Sequence, residues 1–517
     1  MSRRIHALRN VGTSWLGLAT NFLVGFFLSP FILHRIGDDA FGLWVLVFAL
    51  TGYYGLFDFG IRSSIIRYVA QYQATGDSDR LNCFINTSLL SYGAIGLLLL
   101  TVTIAGSFYV DSIFRIPASL HATAKIVFLI VGATVSLGFP LGVFGGALEG
   151  LQKFNWLSLT QVSCNLVRTL LIVVALTHGG RLLAIALITV VLNTSAYLVY
   201  FAVVRRMISL RLGWEYIDRE SFQHMASFGS ITFIAIIAFQ LRFYSDATVI
   251  GIFIGSAAIT YFSIGSKLVS YSSNVTQSMS QIFTPMSSEF NATGDTERLR
   301  RVFIMGNRAC ALLVFPICAA LLILGRSVIE VWVGAKYVPI GYAVLAWFAI
   351  GDCTEMAQSA SPKVLYGMAR HRTMALVRLT EGVVNLILSI VLLRRYGVVG
   401  VAIGTVVPQL CTNLLFMPEH LCRILGVRLR TFLTDAYLAP LLLTLPMAAL
   451  LLVMQRFLHP RNYLELLAQV LAGVAVYGAG VLWFLLTREQ MGVQLRAKFR
   501  EYRQYATGAV NLMTGAA

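Results

Sequence analysis

The sequence predicts an all-α polytopic membrane protein of about fourteen transmembrane helices, arranged as two parallel six-helix repeats and a C-terminal helix pair. Three observations predict it. Of 517 residues, 57% are hydrophobic and 12% charged, with mean hydropathy +0.75. A soluble chain carries about 25% charged residues, and this one cannot fold so much apolar surface away from water. Apolar runs of roughly the 20 residues that cross a hydrocarbon core recur along the chain. Finally, the octapeptide ATGDSDRL at 74–81 returns as ATGDTERL at 292–299, 218 positions on, with two conservative differences.

The elements follow in order. MSRRIHALRN and the apolar run after it imitate a signal peptide. The run from Val11 to Leu33 is too long for the core of one and no A-x-A site follows, so it reads as a retained first span. Fourteen spans are expected at 11–34, 41–72, 81–105, 121–146, 154–177, 182–203, 223–254, 258–288, 301–325, 340–360, 372–393, 398–418, 437–455 and 464–487. Those much longer than 20 residues have to tilt or protrude. Pro30, Pro140, Pro285, Pro316, Pro408, Pro440 and Pro446 lie within or at the ends of spans, where neighbouring helices satisfy the freed carbonyls.

Lys and Arg set the orientation. With the N-terminus inside, the cytoplasmic segments hold 23 of the 40, the external loops nine and the spans eight. This bias puts both termini in the cytoplasm. It accounts for much of the net charge of +17 without a polyanion, so no nucleic acid partner is expected. The seven cysteines show no C-x-x-C and no paired spacing, and read as helix-packing residues rather than a disulfide framework or metal site.

The octapeptides join spans 2 and 3 and spans 8 and 9. RIGDDAFG at 35–42 aligns with FIGSAAIT at 253–260 at the same spacing, and LEGLQKF at 148–154 faces LYGMARH at 365–371 one residue closer. Spans 1–6 and 7–12 therefore read as two copies of one unit. Six is even, so the copies share an orientation and are related about the membrane normal. The expected organisation is 1–210 and 211–430 as the halves, 431–490 as spans 13 and 14, and 491–517 as a basic cytoplasmic tail. The octapeptide itself reads as structure, with Gly76 in a turn and Asp77 and Asp79 opening the next helix.

Pro30…Arg35-Ile36-Gly37…Phe41-Gly42, then GLFDFGIRSSIIRYVAQ (55–71) and RRYGVVGVAIGT (394–405), resemble the polysaccharide-export branch of the multidrug/oligosaccharidyl-lipid/polysaccharide superfamily, the O-antigen-type flippases. The resemblance covers the whole chain. It implies a non-enzymatic bacterial inner-membrane transporter without cofactor. Such a protein turns undecaprenyl-pyrophosphate-linked oligosaccharides to the outer leaflet by alternating access, for O-antigen or exopolysaccharide biosynthesis. The partners implied are that glycan lipid and membrane lipids, with H+ or Na+ as candidate coupling ions and the polysaccharide polymerase machinery as a candidate neighbour. Lipid II flippases are similar but carry an Arg/Asp cluster at the end of helix 1, where this chain reads FFLSPFILHRIG without the acid. Multidrug-extrusion relatives place an acid within helix 1, and here none occurs between Met1 and Asp38.

A lone charge at mid-bilayer costs roughly 2.5–3.5 kcal/mol on insertion scales, so charges inside spans should face a wet interior or a partner. Lys125 and Arg308 lie near span ends and can snorkel. Asp58–Arg62 and Arg242–Asp246 at i,i+4, and Arg378–Glu381 at i,i+3, are spaced to share a helix face. They read either as tolerated intrahelical ion pairs or as cations lining a cavity for an anionic head group. Arg168 and Lys267 have no acid at i±3 or i±4 and carry the second reading. These two, one from each half, are the expected pyrophosphate residues, with Arg62, Arg242 and Arg378 as secondary contacts. Asp58, Asp246 and Glu381 are the expected ion-coupling or cavity acids.

Two rival readings remain. An antiporter of small drugs is disfavoured, for cationic drugs, by the interior cations. A membrane polysaccharide polymerase needs acid–base groups held outside the membrane, usually on a sizeable loop, and the external loops here are about 15 residues or fewer. No GxxxxGK[ST] loop occurs, so no ATP site is expected.

Overall fold

The structure, a computed structural model, describes residues 20, 22–228, 230–370 and 372–487. The N-terminal arm, the start of the expected first span and the 491–517 tail lie outside them. No strand occurs among the described residues. The helices run Phe22–Ile36 (α1), Asp38–Gly52 (α2), Ile61–Thr75 (α3), Ser78–Ile113 (α4), His121–Gly150 (α5), Phe154–Thr177 (α6), Leu182–Met207 (α7), Arg219–Phe228 (α8), Ser230–Phe253 (α9) and Ser256–Ser280 (α10). They continue with Phe283–Ala292 (α11), Thr296–Val333 (α12), Val338–Ala357 (α13), Ala360–Gly367 (α14), Arg372–Leu410 (α15), Met417–Leu425 (α16), Leu429–Leu433 (α17), Ala439–Phe457 (α18) and Tyr463–Thr487 (α19).

The expected spans are helical over most of their described length, with turns at 59–60, 281–282 and 358–359. Eleven segments are individually long and apolar enough to cross a membrane, and the difference from fourteen has three physical sources. The described part of the first span is short. Spans 11 and 12 form one helix, α15, across a kink at Gly397 (φ 58°, ψ −139°). The third source is α10, which carries a polar face. The expected second span also breaks, because Phe59 and Gly60 take left-handed backbone (φ 48° and 77°) between the short 3-10 turn Tyr53–Asp58 and α3. The fold is that of a multi-pass membrane protein.

The duplicated octapeptides adopt one conformation. Asp77 caps α4 by accepting from the Arg80 amide at 3.0 Å, after Gly76 at φ 71°. Asp295 caps α12 by accepting from the Arg298 amide at 3.0 Å, after Gly294 at φ 70°. Left-handed backbone also recurs at Gly179 and Gly397, 218 residues apart, and at Gln152 and Ala369, 217 apart. Each side chain at 152 and 369 bears the steric cost of that conformation at the same kind of corner, a helix end.

One buried cluster joins α2, α5, α9, α10 and α15 through Leu43, Leu46, Val127, Ile250, Ile259 and Val401. The crossing of α2 and α10 is so close that a Cβ on Gly42 would lie 1.8 Å from the Ser256 carbonyl oxygen. Polar contacts clamp this end. The Asp38 carboxylate accepts from Tyr337 (2.5 Å) and Lys336 (3.0 Å), and its backbone carbonyl from Thr260 (2.7 Å). Ser256 donates to Asp39 at 2.7 Å. The corner before α2 is thus tied to the corners before α10 and α13.

Candidate functional site

Beneath that clamp lies a cavity of about 800 Å³, lined from α1, α2, α9, α10 and α13–α15. This is within the size range of ligand sites. Phe41, Phe262 and Ser263 bound it near the clamp, and Gln277, Ser280, Lys363 and Met374 line its far end.

The polar side of the cavity comes from α10. Ser263, Ser266, Lys267, Ser270, Asn274 and Gln277 recur at helical spacing and all line the space. Of this row only Lys267 stood out in the sequence, although SIGSKLVSYSSNVTQSMS (263–280) carries the period openly. Lys267 donates to the Ser29 hydroxyl at 2.6 Å, and no carboxylate stands within 4.0 Å of it among the described residues. It is a half-buried cation on a cavity wall, with no counter-ion among the described residues.

The arginines are differently placed. Arg378 pairs with Glu381 (2.8 Å), as its spacing predicts, and also with Glu355 (3.1 Å). Arg242 does not pair with Asp246. It turns across to α13, where its guanidinium forks onto Glu355, one bond being 2.9 Å, and it reaches Glu381 at 3.4 Å. Gln409 donates to both Glu355 (2.9 Å) and Asp352 (2.8 Å). The network therefore ties α9, α13 and both limbs of α15, and its carboxylates neutralise both arginines. Removing one partner of such a group leaves the others uncompensated. Glu355→Gln is therefore expected to destabilise the protein by about 1–3 kcal/mol, read as a lowered thermal midpoint in detergent.

Asp246 is buried. One carboxylate oxygen accepts from Thr405 at 2.8 Å, and the other has no hydrogen-bond partner among the described residues. The Asn385 carbonyl oxygen shares the Thr405 hydroxyl at 3.1 Å. This is a compact oxygen-rich pocket at the cavity edge.

The remaining expected residues do not line this cavity. Arg168 donates to Asn193 at 2.6 Å and Asn165 at 3.4 Å, bridging α6 and α7. Arg62 pairs with Glu149 at 2.6 Å, and Asp58 accepts from the Tyr92 hydroxyl. The expected Asp58–Arg62 pair does not form because the helix that would align them breaks at Phe59–Gly60. Glu381 sits behind Arg378 rather than on the wall. Nor do the two residues assigned to snorkelling simply reach out. Lys125 pairs with Asp111 at 2.8 Å, and the buried Arg308 donates to the Asp435 carbonyl at 2.5 Å.

Comparison with known proteins gives a consistent picture. The profile of the family described as "Polysaccharide biosynthesis protein" matches residues 7–291. The chain is 23% identical over 511 residues to the "Uncharacterized membrane protein EpsK" of Bacillus subtilis (strain 168), covering 95% of this chain and 98% of that one. It is 20% identical to the "Putative O-antigen transporter" of Shigella flexneri, over 77% of this chain and 93% of that one. Among solved structures, the lipid II flippase MurJ in an inward closed conformation superposes with TM-score 0.67 at 18% identity, over 91% of this chain and 98% of that one. An inward-facing multidrug resistance MATE family transporter gives TM-score 0.69 at 13% identity, over 80% and 96%.

Proposed function

Because this chain belongs to the polysaccharide biosynthesis protein family, the polysaccharide-export branch of the multidrug/oligosaccharidyl-lipid/polysaccharide superfamily, we propose that it is a flippase for polyprenyl-pyrophosphate-linked oligosaccharides in a bacterial inner membrane. It acts as a transporter, not as a glycosyl-transferring enzyme. The observation that carries the reading is Lys267: a cation with no acid partner among the described residues, on the wall of a large interhelical cavity. A pyrophosphate supplies the missing charge, and charge-assisted hydrogen bonds are about twice as strong as neutral ones. The lipid chain stays in the bilayer while head group and sugars cross the polar interior.

Residues 1–210 and 211–430 are the two rocking halves, with α18 and α19 as an appendix and the polymerase machinery as the neighbour that takes the product. The Lys363 end of the cavity faces the cytoplasm, as the Lys/Arg distribution favours, and the Asp38 clamp closes the external end. Asp246 carries the coupling ion, H+ or Na+. Its buried carboxylate has one oxygen without a hydrogen-bond partner among the described residues, and an unpaired buried charge is costly until a cation neutralises it.

Reconstitution into proteoliposomes tests the proposal. Wild-type protein is expected to move fluorescent lipid-linked oligosaccharides between leaflets and to leave cationic dyes where they are. Dye movement without lipid movement would favour the antiporter.

A further inference from the structure

The cavity's chemistry is divided, and a phosphate site alone does not require the division. From α2 and α9 it receives Trp44, Phe48, Phe239 and Phe243. Three of these rings are held in contact with the space rather than buried: Phe48 is 40% exposed, Phe239 51% and Phe243 54%. Packing among themselves fixes them, with Trp44 edge-on to Phe48 at 4.6 Å between centroids and Phe239 against Phe243 at 4.4 Å. The Arg242 guanidinium, already neutralised by Glu355, sits 5.5 Å from the Phe243 ring centre and orients it further.

From α10 the same cavity receives hydroxyls and amides. Ser266 donates to the Phe262 carbonyl at 3.1 Å and Ser270 to the Lys267 carbonyl at 2.7 Å. Each hydroxyl has thereby spent its proton on its own helix and keeps lone pairs that can accept. Asn274 and Gln277 continue the row with groups that both donate and accept.

We propose that the space between these two sets is a glycan subsite for uncharged pyranose units, adjoining Lys267. A pyranose ring has apolar C–H faces and a hydroxyl rim. The rings of α2 and α9 receive the faces, since aromatic π-systems are negative on their faces and attract polarised C–H groups. The α10 row accepts from the rim hydroxyls. Neither a bare pyrophosphate nor an apolar drug uses both sets. The rings of α2 and α9 and the hydroxyls and amides of α10 carry no charge, so the surface they form suits uncharged units. The inference rests on the flippase reading and names which part of the substrate these residues select.

The test uses full-length protein in nanodiscs and two probes, undecaprenyl pyrophosphate alone and the same lipid bearing a neutral tetrasaccharide. Phe243→Ala, Phe48→Ala and Asn274→Ala are each expected to weaken binding of the glycosylated probe roughly fivefold to tenfold, and to change binding of the bare lipid less than twofold. Phe243→Leu keeps the bulk and loses the π face. It is expected to remain as monodisperse as wild type while showing the same selective loss, which separates recognition from folding. Equal loss for both probes, or no loss for either, would overturn the subsite while leaving the head-group reading intact. Failure of wild-type protein to bind either probe would overturn both.

Discussion

Lys267→Gln is expected to slow flipping of a polyprenyl-pyrophosphate oligosaccharide roughly 10- to 100-fold, with the amount of inserted protein unchanged. The size follows from losing one charge-assisted contact of about 1.5–3 kcal/mol. Insertion survives because Lys267 compensates no acid among the described residues, so its removal orphans no charge there. The same exchange at Arg242 or Arg378 would unbalance Glu355 and Glu381 and confound transport with folding. Lys267→Arg keeps the charge with a different reach and is expected to retain part of the rate. Full transport by Lys267→Gln would remove this residue from the head-group site.

Cross-linking the Asp38 clamp is expected to stop transport altogether. The Ser256 hydroxyl and Asp39 carboxylate meet at 2.7 Å across the join of α2 and α10. The proposed alternating access requires that join to part, because α2 and α10 are in close backbone contact at Gly42 and Ser256. In a background with the seven native cysteines replaced, an Asp39→Cys, Ser256→Cys pair is expected to be inactive when oxidised and to recover on reduction. Undiminished flipping by the oxidised protein would mean that the substrate leaves by a route that spares this corner.

Much of the fold was legible in the sequence because its determinants are local. Apolar runs marked the spans, and Gly-Asp at 76–77 and 294–295 marked two helix starts that cap identically. The break at Phe59–Gly60 was missed because Gly60, its one local signal, sits inside an otherwise apolar run, and an apolar phenylalanine in left-handed backbone leaves no trace of its own. The site was legible only in part. Lys267 announced itself by having no acid within its own helix, and the structure brings none from elsewhere among the described residues. Arg242 misled for the complementary reason: its partners Glu355 and Glu381 lie 113 and 139 residues away, on helices that only tertiary packing brings together. Arg168 satisfied the same local criterion as Lys267, yet its partner is the neutral Asn193 on the next helix. Local spacing identifies charges without local partners. Whether a cavity or a neighbour receives them is decided by packing.

The central claim is that Lys267 receives a pyrophosphate head group inside this cavity. Equilibrium binding of an undecaprenyl-pyrophosphate-linked oligosaccharide to purified protein, with inorganic pyrophosphate as competitor, tests it most directly. Binding that pyrophosphate displaces, and that Lys267→Gln weakens at least tenfold, is the predicted result. Binding of equal strength in wild type and Lys267→Gln, insensitive to pyrophosphate, would contradict it.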